Sequence, residues 1–331
     1  MVPVFDSNNV PLMPCTEKRA RKLLERGDAF CFWKKGIFCI KLTREPSARN
    51  YQPIVVGIDP GSKREAYTVA TEKRVVINIL TDTPSWVKDA VEVRRNMRRT
   101  RRNRKTPYRK PRYNRSRGGL SPSTRARWNA KLRILNWLAT MYPINDVVVE
   151  DIKAVTRKGS RKWNSSFSPL EAGKEWFYEQ VKLKWELHTV AGYETKEWRD
   201  LSQYKKVSNK LSDKWEAHNV DSHVLAEIWT GEAIPPFKKL LRIAYLRLHR
   251  RQLHVLQYAR GSIRKLYGGT RSMGLKRGSW VKHIKYGLCY VGGSSKGRIS
   301  LHGMDGKRLS QAVKVDDCSF LTYSTWRIVN V

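Results

Sequence analysis

Ile54-Val55-Val56-Gly57-Ile58-Asp59-Pro60-Gly61-Ser62 is a run of β-branched residues that ends at an aspartate and a Pro-Gly turn. A short apolar run bounded by turn residues predicts a buried strand, and apolar side chains on both faces place it in the centre of a sheet. Asp59 would then lie at the carboxyl end of that strand, where open α/β sheets bind ligands. The alternative is that Asp59 only begins a turn, as aspartate often does before Pro-Gly.

Two further strand-like runs follow this stretch directly. They span Arg64 to Thr71 and Arg74 to Thr81, and Glu72-Lys73 separates them. A central strand that bears an aspartate, followed by two hairpin-linked strands, is typical of the beginning of a ribonuclease-H-like sheet. The predicted fold class is therefore α/β, with an RNase H-like mixed sheet.

Two later stretches offer more carboxylates. Val147-Val148-Val149-Glu150-Asp151 repeats the first pattern, an apolar run that ends in an acidic residue. Asp213 to Thr230 has the pattern of a helix and carries His218 and Asp221, which are three residues apart and therefore share a face. Asp59, Glu150 and Asp221 are predicted to meet at one site.

Carboxylates from two strands and one helix can surround a pair of divalent ions about 3.5–4 Å apart, the arrangement that cleaves phosphodiesters. Mg²⁺ suits such a site because it prefers oxygen ligands and takes others from substrate phosphate; Mn²⁺ is the expected substitute. We predict Asp59, Glu150 and Asp221 as metal ligands, and His218 as the group that orients or deprotonates the attacking water. A histidine that is hydrogen-bonded but not catalytic is the alternative for His218.

The composition indicates the partner. The chain has 331 residues and a formal charge of +37, an excess that phosphate backbones usually neutralise. No apolar run approaches the roughly 20 residues that span a bilayer, and no signal peptide opens the sequence. Five cysteines without a C-x-x-C pair argue against a zinc site or a disulfide scaffold. We therefore expect a cytoplasmic, nucleic-acid-binding protein with no membrane association.

Arginine is concentrated in one segment. After a predicted helix that begins near Pro84, arginines at 94, 98 and 102 form a stripe at helical spacing. Like charges at this spacing destabilise an isolated helix, so the stripe makes sense against phosphates, which arginine binds with a planar fork. A solvated charged face is the alternative. The predicted nucleic-acid-binding residues are Arg94, Arg95, Arg98, Arg99, Arg101, Arg102, Arg104, Lys105, Arg109 and Arg112.

The two ends of the chain are predicted to form smaller units. Residues 1–50 have the pattern of a basic αββ module, whose helix runs from the cap Thr16 to about Glu25. Further helices are predicted from Ser123 to about Met141 and from Leu170 to about His188. Residues 261–331 predict a small β-barrel-like domain. Contact with nucleic acid and simple packing are both open for each end, and 240–254 fits strand or helix equally.

The ordered set of motifs resembles the IsrB family, RuvC-like relatives of IscB that lack an HNH domain. The resemblance rests on Pro11-Leu12-Met13-Pro14, Gly57-Ile58-Asp59-Pro60-Gly61-Ser62, Arg94-Arg95-Asn96-Met97-Arg98-Arg99, the Glu150 strand and His218-x-x-Asp221. It spans nearly the whole chain. The short connection between the Glu150 strand and the Asp221 helix agrees with the missing HNH domain.

The resemblance implies an RNA-guided nickase. Such an enzyme would use a long noncoding omega RNA, recognise a short target-adjacent motif in double-stranded DNA, and cut the non-target strand with Mg²⁺. Asp59, Glu150, His218 and Asp221 would form its RuvC site and the arginine block its bridge helix, in a monomeric protein bound to RNA. Guide pairing would read the sequence while the protein holds the backbone.

The resemblance also divides the chain. It implies a PLMP-type module in 1–50, RuvC segments in 51–83, 118–188 and 189–260, the bridge helix and basic linker in 84–117, and a C-terminal RNA- or motif-contacting domain in 261–331. Two other functions remain open at this stage. One is a non-catalytic RNA-binding protein on the same scaffold, and the other is a guide-independent junction resolvase.

Overall fold

A computed structural model of the chain describes residues 1–84, 86–103, 120, 122–153, 169–209, 211–246, 256–257, 262–263 and 271–329. The residue contacts divide the chain into two units, Met1–Leu240 and Leu241–Val331. The domain boundary predicted between 260 and 261 lies outside the described residues. No helix in the described part of the chain is both long and apolar enough to cross a bilayer.

The N-terminal module is ββαββ, so the predicted αββ order was incomplete. Its elements are β1 (Val2–Phe5), β2 (Pro11–Cys15), α1 (Glu17–Glu25), β3 (Ala29–Lys34) and β4 (Ile37–Leu42), with sheet order β2-β1-β4-β3. Thr16 caps α1 as predicted, accepting a hydrogen bond from the backbone N–H of Arg19. The prolines of β2 exclude a helix but are tolerated in a strand at the edge of a sheet, which is where β2 lies.

A mixed sheet forms the centre of the first unit. Its strands are β5 (Ile54–Asp59), β6 (Arg64–Thr71), β7 (Arg74–Asp82), β8 (Asp146–Asp151) and β9 (Glu186–Ala191), in the order β7-β6-β5-β8-β9. The β5–β6 and β6–β7 pairs are antiparallel, whereas β5–β8 and β8–β9 are parallel. This is the strand order of an RNase H-like sheet, as the sequence predicted. Val55, Val56 and Ile58 are fully buried because helices cover the sheet.

Five helices accompany the sheet in the described part of the chain. They are α2 (Trp86–Asn103), α3 (Pro122–Ala139), α4 (Pro169–Lys182), α5 (Gly192–Leu201) and α6 (Trp215–Thr230). The helix predicted from Ser123 begins one residue earlier, with proline in the first turn, where its missing N–H costs nothing. The helix predicted from Leu170 to His188 ends at Lys182, six residues earlier, because β9 begins at Glu186 and pairs with β8.

Helix α6 packs directly on strand β5 of the central sheet. Gly57 has no side chain, and a Cβ there would overlap the carbonyl oxygen of Ser222. Asn219 donates to the carbonyl of Ile79 at 3.2 Å, and the hydroxyls of Ser222 and Thr68 share a 2.8 Å hydrogen bond. These buried polar contacts fix the rotation of α6 against the sheet.

The second unit is rich in strands. They are β10 (Leu240–Tyr245), β11 (Leu256–Gln257), β12 (Ser262–Ile263), β13 (Arg271–Ser272), β14 (Leu275–Lys276), β15 (Ser279–His283), β16 (Gly287–Ser295), β17 (Arg298–His302), β18 (Arg308–Val313), β19 (Cys318–Tyr323) and β20 (Trp326–Val329). The beginning of 240–254, which fitted strand or helix, is thus a strand, paired with β20.

Five of these strands form one antiparallel sheet in the order β18-β17-β16-β15-β19. It packs around a small core that includes Val281, Val291 and Leu301. The ladders among the described residues leave β18 and β19 as outer strands, and the small barrel-like domain stays a prediction. Alternating residues identify strands, but closure depends on the pairing of the two outer strands, which that pattern does not encode.

Candidate active site

Neighbouring strands bring two of the predicted carboxylates together. β5 and β8 run parallel with Ile58 opposite Val149, so Asp59 and Glu150 leave the same edge of the sheet side by side. The two carboxyl groups lie close enough to interact directly, and the like charges of their ionised forms repel each other.

The helix α6 supplies the third carboxylate. Asp221 is buried, and its charge acts on both Asp59 and Glu150. His218 lies one turn before Asp221, is 9% exposed, and lines the same cleft as Asp59. The structure therefore brings together all four residues predicted for the site; their catalytic roles remain a prediction.

Burial and neighbouring negative charges raise the pKa values of two carboxyl groups in the site. Burial, followed by the nearby Glu150 and Asp221, raises the pKa of Asp59 well above its ordinary value, although Lys206 opposes the change. Burial and Asp221 likewise raise the pKa of Glu150, against the opposing effects of Lys206 and Arg199. The nearby cations thus compensate the carboxylates only in part.

Two basic residues that the sequence did not single out contact Asp221. Nη1 of Arg199 donates to Oδ1 at 2.7 Å, and Nζ of Lys206 donates to Oδ2. Arg199 lies on the unpredicted helix α5, and Lys206 lies in the segment between α5 and α6. Neither had a sequence signal, because both reach the site only through the tertiary fold.

A cleft of about 890 Å³ opens beside the carboxylates. One wall is the loop after β5, from Asp59 to Arg64, and another is the face of α3 that carries Arg127 and Lys131. Lys63 and Arg127 are exposed cations in this lining, and Lys206 and His218 also line the cleft. A cleft with basic walls beside an acidic cluster suits a phosphate backbone that approaches bound cations.

The carboxylates of this site have the chemistry that a divalent metal ion prefers. Among the described residues, however, the group whose ligand atoms all lie within 4.8 Å of one another is Asp146, Glu186 and His188, so Asp59, Glu150 and Asp221 would have to move closer together to share one ion. The donor set is oxygen from three carboxylates, which hard cations such as Mg²⁺ prefer. The raised pKa values of Asp59 and Glu150 show that additional positive charge would stabilise their ionised forms. Asp59, Glu150 and Asp221 are the residues that would hold the ion.

The adjacent Asp151 has a different environment. Its carboxylate accepts from Nζ of Lys174 at 2.7 Å and from the hydroxyl of Tyr178 at 3.3 Å. Although burial opposes the effect, Lys174 holds the pKa of Asp151 below its ordinary value. Asp151 therefore links β8 to α4 as an ionised, paired carboxylate.

A second group of possible metal ligands lies at the other end of β8. Each of the residues Asp146, Glu186 and His188 offers one ligand atom, and these three atoms lie within 4.8 Å of one another. Asp146 is four residues before Glu150, which places it about 13 Å away along the strand. Nε2 of His188 and Oδ1 of Asp146 are 2.9 Å apart, so a hydrogen bond between β8 and β9 explains the grouping.

The structure describes the arginine block only in part. Its backbone is helical to Asn103, and Arg99 is exposed. The side chains of Arg94, Arg95, Arg98, Arg101 and Arg102 lie outside the description, as do the whole residues Arg104, Lys105, Arg109 and Arg112. Nucleic-acid binding by this block remains a prediction.

Comparison with known proteins gives one family match. Residues 2–165, just under half of the chain, match the family described as RRXRR protein. Arg98-Arg99-Thr100-Arg101-Arg102 has the pattern in that description. No curated protein matches the chain.

A search of solved structures finds the crystal structure of the yeast mitochondrial Holliday junction resolvase Ydc2. That chain is 13% identical, with a TM-score of 0.29, and the match covers 55% of this chain and 80% of the resolvase. A similarity this low carries no argument about function. The fold assignment rests on the strand order given above.

Proposed function

We propose that this protein is a RuvC-type endodeoxyribonuclease that nicks the non-target strand of DNA under the guidance of an omega RNA. Its single site would consist of Asp59, Glu150, Asp221 and His218. The observation that carries the proposal is the convergence of three carboxylates from β5, β8 and α6 beside an open basic cleft. Asp59 and Glu150, distant in sequence, have no evident structural reason to share a site, since the site destabilises their ionised forms.

A divalent metal ion, when bound, would activate water and stabilise the leaving oxygen of the phosphodiester. His218 lines the cleft and would orient the attacking water or accept its proton. Lys63 and Arg127 would hold the phosphates that flank the scissile bond. Arg199 would keep the Asp221 carboxylate in position through its hydrogen bond to Oδ1.

The large positive charge supports RNA as the partner. A formal charge of +37 is larger than the binding of one DNA strand in the cleft requires. The arginine-rich helix α2 also carries a stripe of arginines at a spacing suited to phosphates. The RRXRR match covers this helix. With one catalytic centre in the proposal, one DNA strand is cut, and guide pairing selects it.

The test is plasmid nicking by protein purified with its RNA. We expect wild-type protein and Mg²⁺ to convert supercoiled target to open circles, with EDTA abolishing the reaction. Asp59→Ala should lose nicking and retain RNA binding. Asp146→Asn is the matched control, because it changes an acidic residue at the far end of β8 and should retain nicking.

The outcomes separate the alternatives. RNA binding without cleavage, in any divalent metal, would indicate a non-catalytic RNA-binding protein. Cleavage of matched DNA by RNA-free protein would indicate a guide-independent resolvase. Loss of nicking in Asp146→Asn with full activity in Asp59→Ala would move the site to the other end of β8.

A further inference from the structure

Lys206 occupies a defined position at the mouth of the acidic site. On one side, the hydroxyl of Tyr204 donates to Oε1 of Glu227 at 2.7 Å, and Glu227 is fully buried in α6. On the other side, the backbone N–H of Val207 donates to the carbonyl of Glu216 at 2.9 Å. The Tyr204 side chain and the Val207 backbone therefore tie the segment around Lys206 to α6.

Each of the two carboxylate oxygens of Asp221 accepts a hydrogen bond from a cation. Arg199 holds Oδ1 and Lys206 holds Oδ2. Each oxygen keeps a second lone pair that could bind a metal ion. A cation held against Asp221 nevertheless repels a divalent ion at the same carboxylate, so these donors compete with a metal through their charge. Lys206 also opposes the raised pKa values of Asp59 and Glu150, which shows that its charge acts on the whole cluster.

The two donors differ in how easily they can leave. The Arg199 side chain is 14% exposed and belongs to helix α5, which packs against α6. The Lys206 side chain is 40% exposed and lines the cleft. A lysine ammonium is a point charge on a flexible stem, and water in the open cleft can solvate it after it leaves.

We propose that Lys206 is a built-in competitor for the divalent metal ion: its ammonium occupies the place of a cation beside Asp221 and turns into the cleft when the ion binds. Arg199 stays in place as the positioning residue. This inference rests on the proposed function, because it needs Asp221 to be a metal ligand. It adds that metal occupancy is opposed by a residue of the chain itself.

Chemical labelling of lysines tests the exchange directly. The RNA-free full-length protein is acetylated with an N-hydroxysuccinimide ester, with and without saturating Mg²⁺, and each lysine is quantified by mass spectrometry. The neighbouring Lys205 is exposed and is the internal reference. We expect Mg²⁺ to raise the labelling of Lys206 severalfold relative to Lys205. In Asp221→Asn, Lys206 should react rapidly with or without metal.

Metal affinity provides the second measurement. Free Mn²⁺ is titrated by electron paramagnetic resonance against wild type, Lys206→Gln and the control Lys205→Gln. Removing a partly exposed competing ion pair should lower the apparent Kd for Mn²⁺ about fivefold in Lys206→Gln. Lys205→Gln should bind as wild type does, and thermal melting verifies that both variants fold.

The results distinguish this inference from the proposed function. Equal or weaker Mn²⁺ binding by Lys206→Gln, or Lys206 labelling that Mg²⁺ leaves unchanged, would overturn the competitor role. Metal-dependent nicking that Asp59→Ala abolishes would still uphold the nuclease in that case. A wild-type protein that neither binds Mn²⁺ nor nicks DNA would refute both.

Discussion

At the scale of single residues, neighbouring carboxylates of one strand have opposite electrostatic environments. Glu150 and its partner Asp59 lie among like charges, and burial and those charges raise their pKa values. Asp151 is the next residue, but Lys174 and Tyr178 donate hydrogen bonds that stabilise its ionised carboxylate. Adjacent side chains of a strand point to opposite faces, so one faces the cluster and the other faces α4. Asp59 and Glu150, whose pKa values are raised, are two of the three carboxylates that we assign to metal binding.

Asp59→Asn should stabilise the metal-free protein. Because the folded-state pKa of Asp59 is raised, the unfolded chain ionises first as the pH passes the ordinary value of 3.8. The stability of the fold therefore falls from that pH until the pH passes the folded-state pKa. We expect the free energy of unfolding to rise by on the order of 1 kcal/mol at pH 7 in EDTA, and the gain to vanish near pH 3. Urea unfolding at the two pH values measures this.

Asp151→Asn is the matched control, with the opposite sign. The lowered pKa of Asp151 contributes stability above the ordinary pKa, which is lost as the pH falls through the folded-state value. The variant should therefore be less stable than wild type at pH 7. An Asp59→Asn protein that is also destabilised at pH 7 would contradict the electrostatic account of the cluster.

At the scale of elements, a buried ion pair attaches helix α3 to strand β6. Nζ of Lys131 donates to Oε1 of Glu65, and the hydroxyl of Tyr67 donates to Oε2 at 3.0 Å. Both charged residues are nearly inaccessible to solvent. Such a pair contributes little net stability, but it is costly to break on one side only. This ion pair holds the α3 wall of the cleft against the central sheet.

Lys131→Met should destabilise the protein by about 3–5 kcal/mol, because it leaves Glu65 charged and buried. The double variant Lys131→Met with Glu65→Gln should recover much of the loss, since a glutamine still accepts from Tyr67 and carries no charge. Urea unfolding compares the variants. Arg127→Met, an exposed change one turn earlier on α3, should stay within about 0.5 kcal/mol of wild type. A double variant no more stable than Lys131→Met would show that the packing of the lysine stem matters more than its charge.

At the scale of the whole molecule, positive charge dominates. The chain has 66 Lys and Arg residues against 29 Asp and Glu residues, so its solution behaviour depends on an anionic partner. The proposed binding to RNA would release counterions from the phosphates, and its affinity would then fall steeply with salt. The arginine block is the densest contributor to this charge.

Alanine at both Arg98 and Arg99 should reduce the salt dependence of RNA binding. Each lost phosphate contact lowers the slope of log K against log salt by about 1, so we expect the slope to fall by about 2. Filter binding at a series of salt concentrations measures this. Glu92→Gln, an exposed change on the same helix, should leave the slope undiminished. An unchanged slope in the arginine variant would mean that α2 does not contact the RNA backbone.

The sequence by itself determined the strands that carry Asp59 and Glu150, the helix that carries Asp221, and the basic character of the chain. Each depends on local features: apolar runs, turn residues and helical spacing. Where local patterns were ambiguous, the predictions failed. The segment before His188 is compatible with a helix, but pairing with β8 makes it a strand.

Only the tertiary structure decided what surrounds the carboxylates. Lys206 and Arg199 are 15 and 22 residues from Asp221, and nothing in their local sequence distinguishes them from the many other cations of the chain. They reach Asp221 because α5 packs on α6 and the intervening segment is tied to α6 at Tyr204 and Val207. Which cations contact Asp221 depends on how elements distant in sequence pack together. A strand that carries a carboxylate near its end, by contrast, is encoded by neighbouring residues.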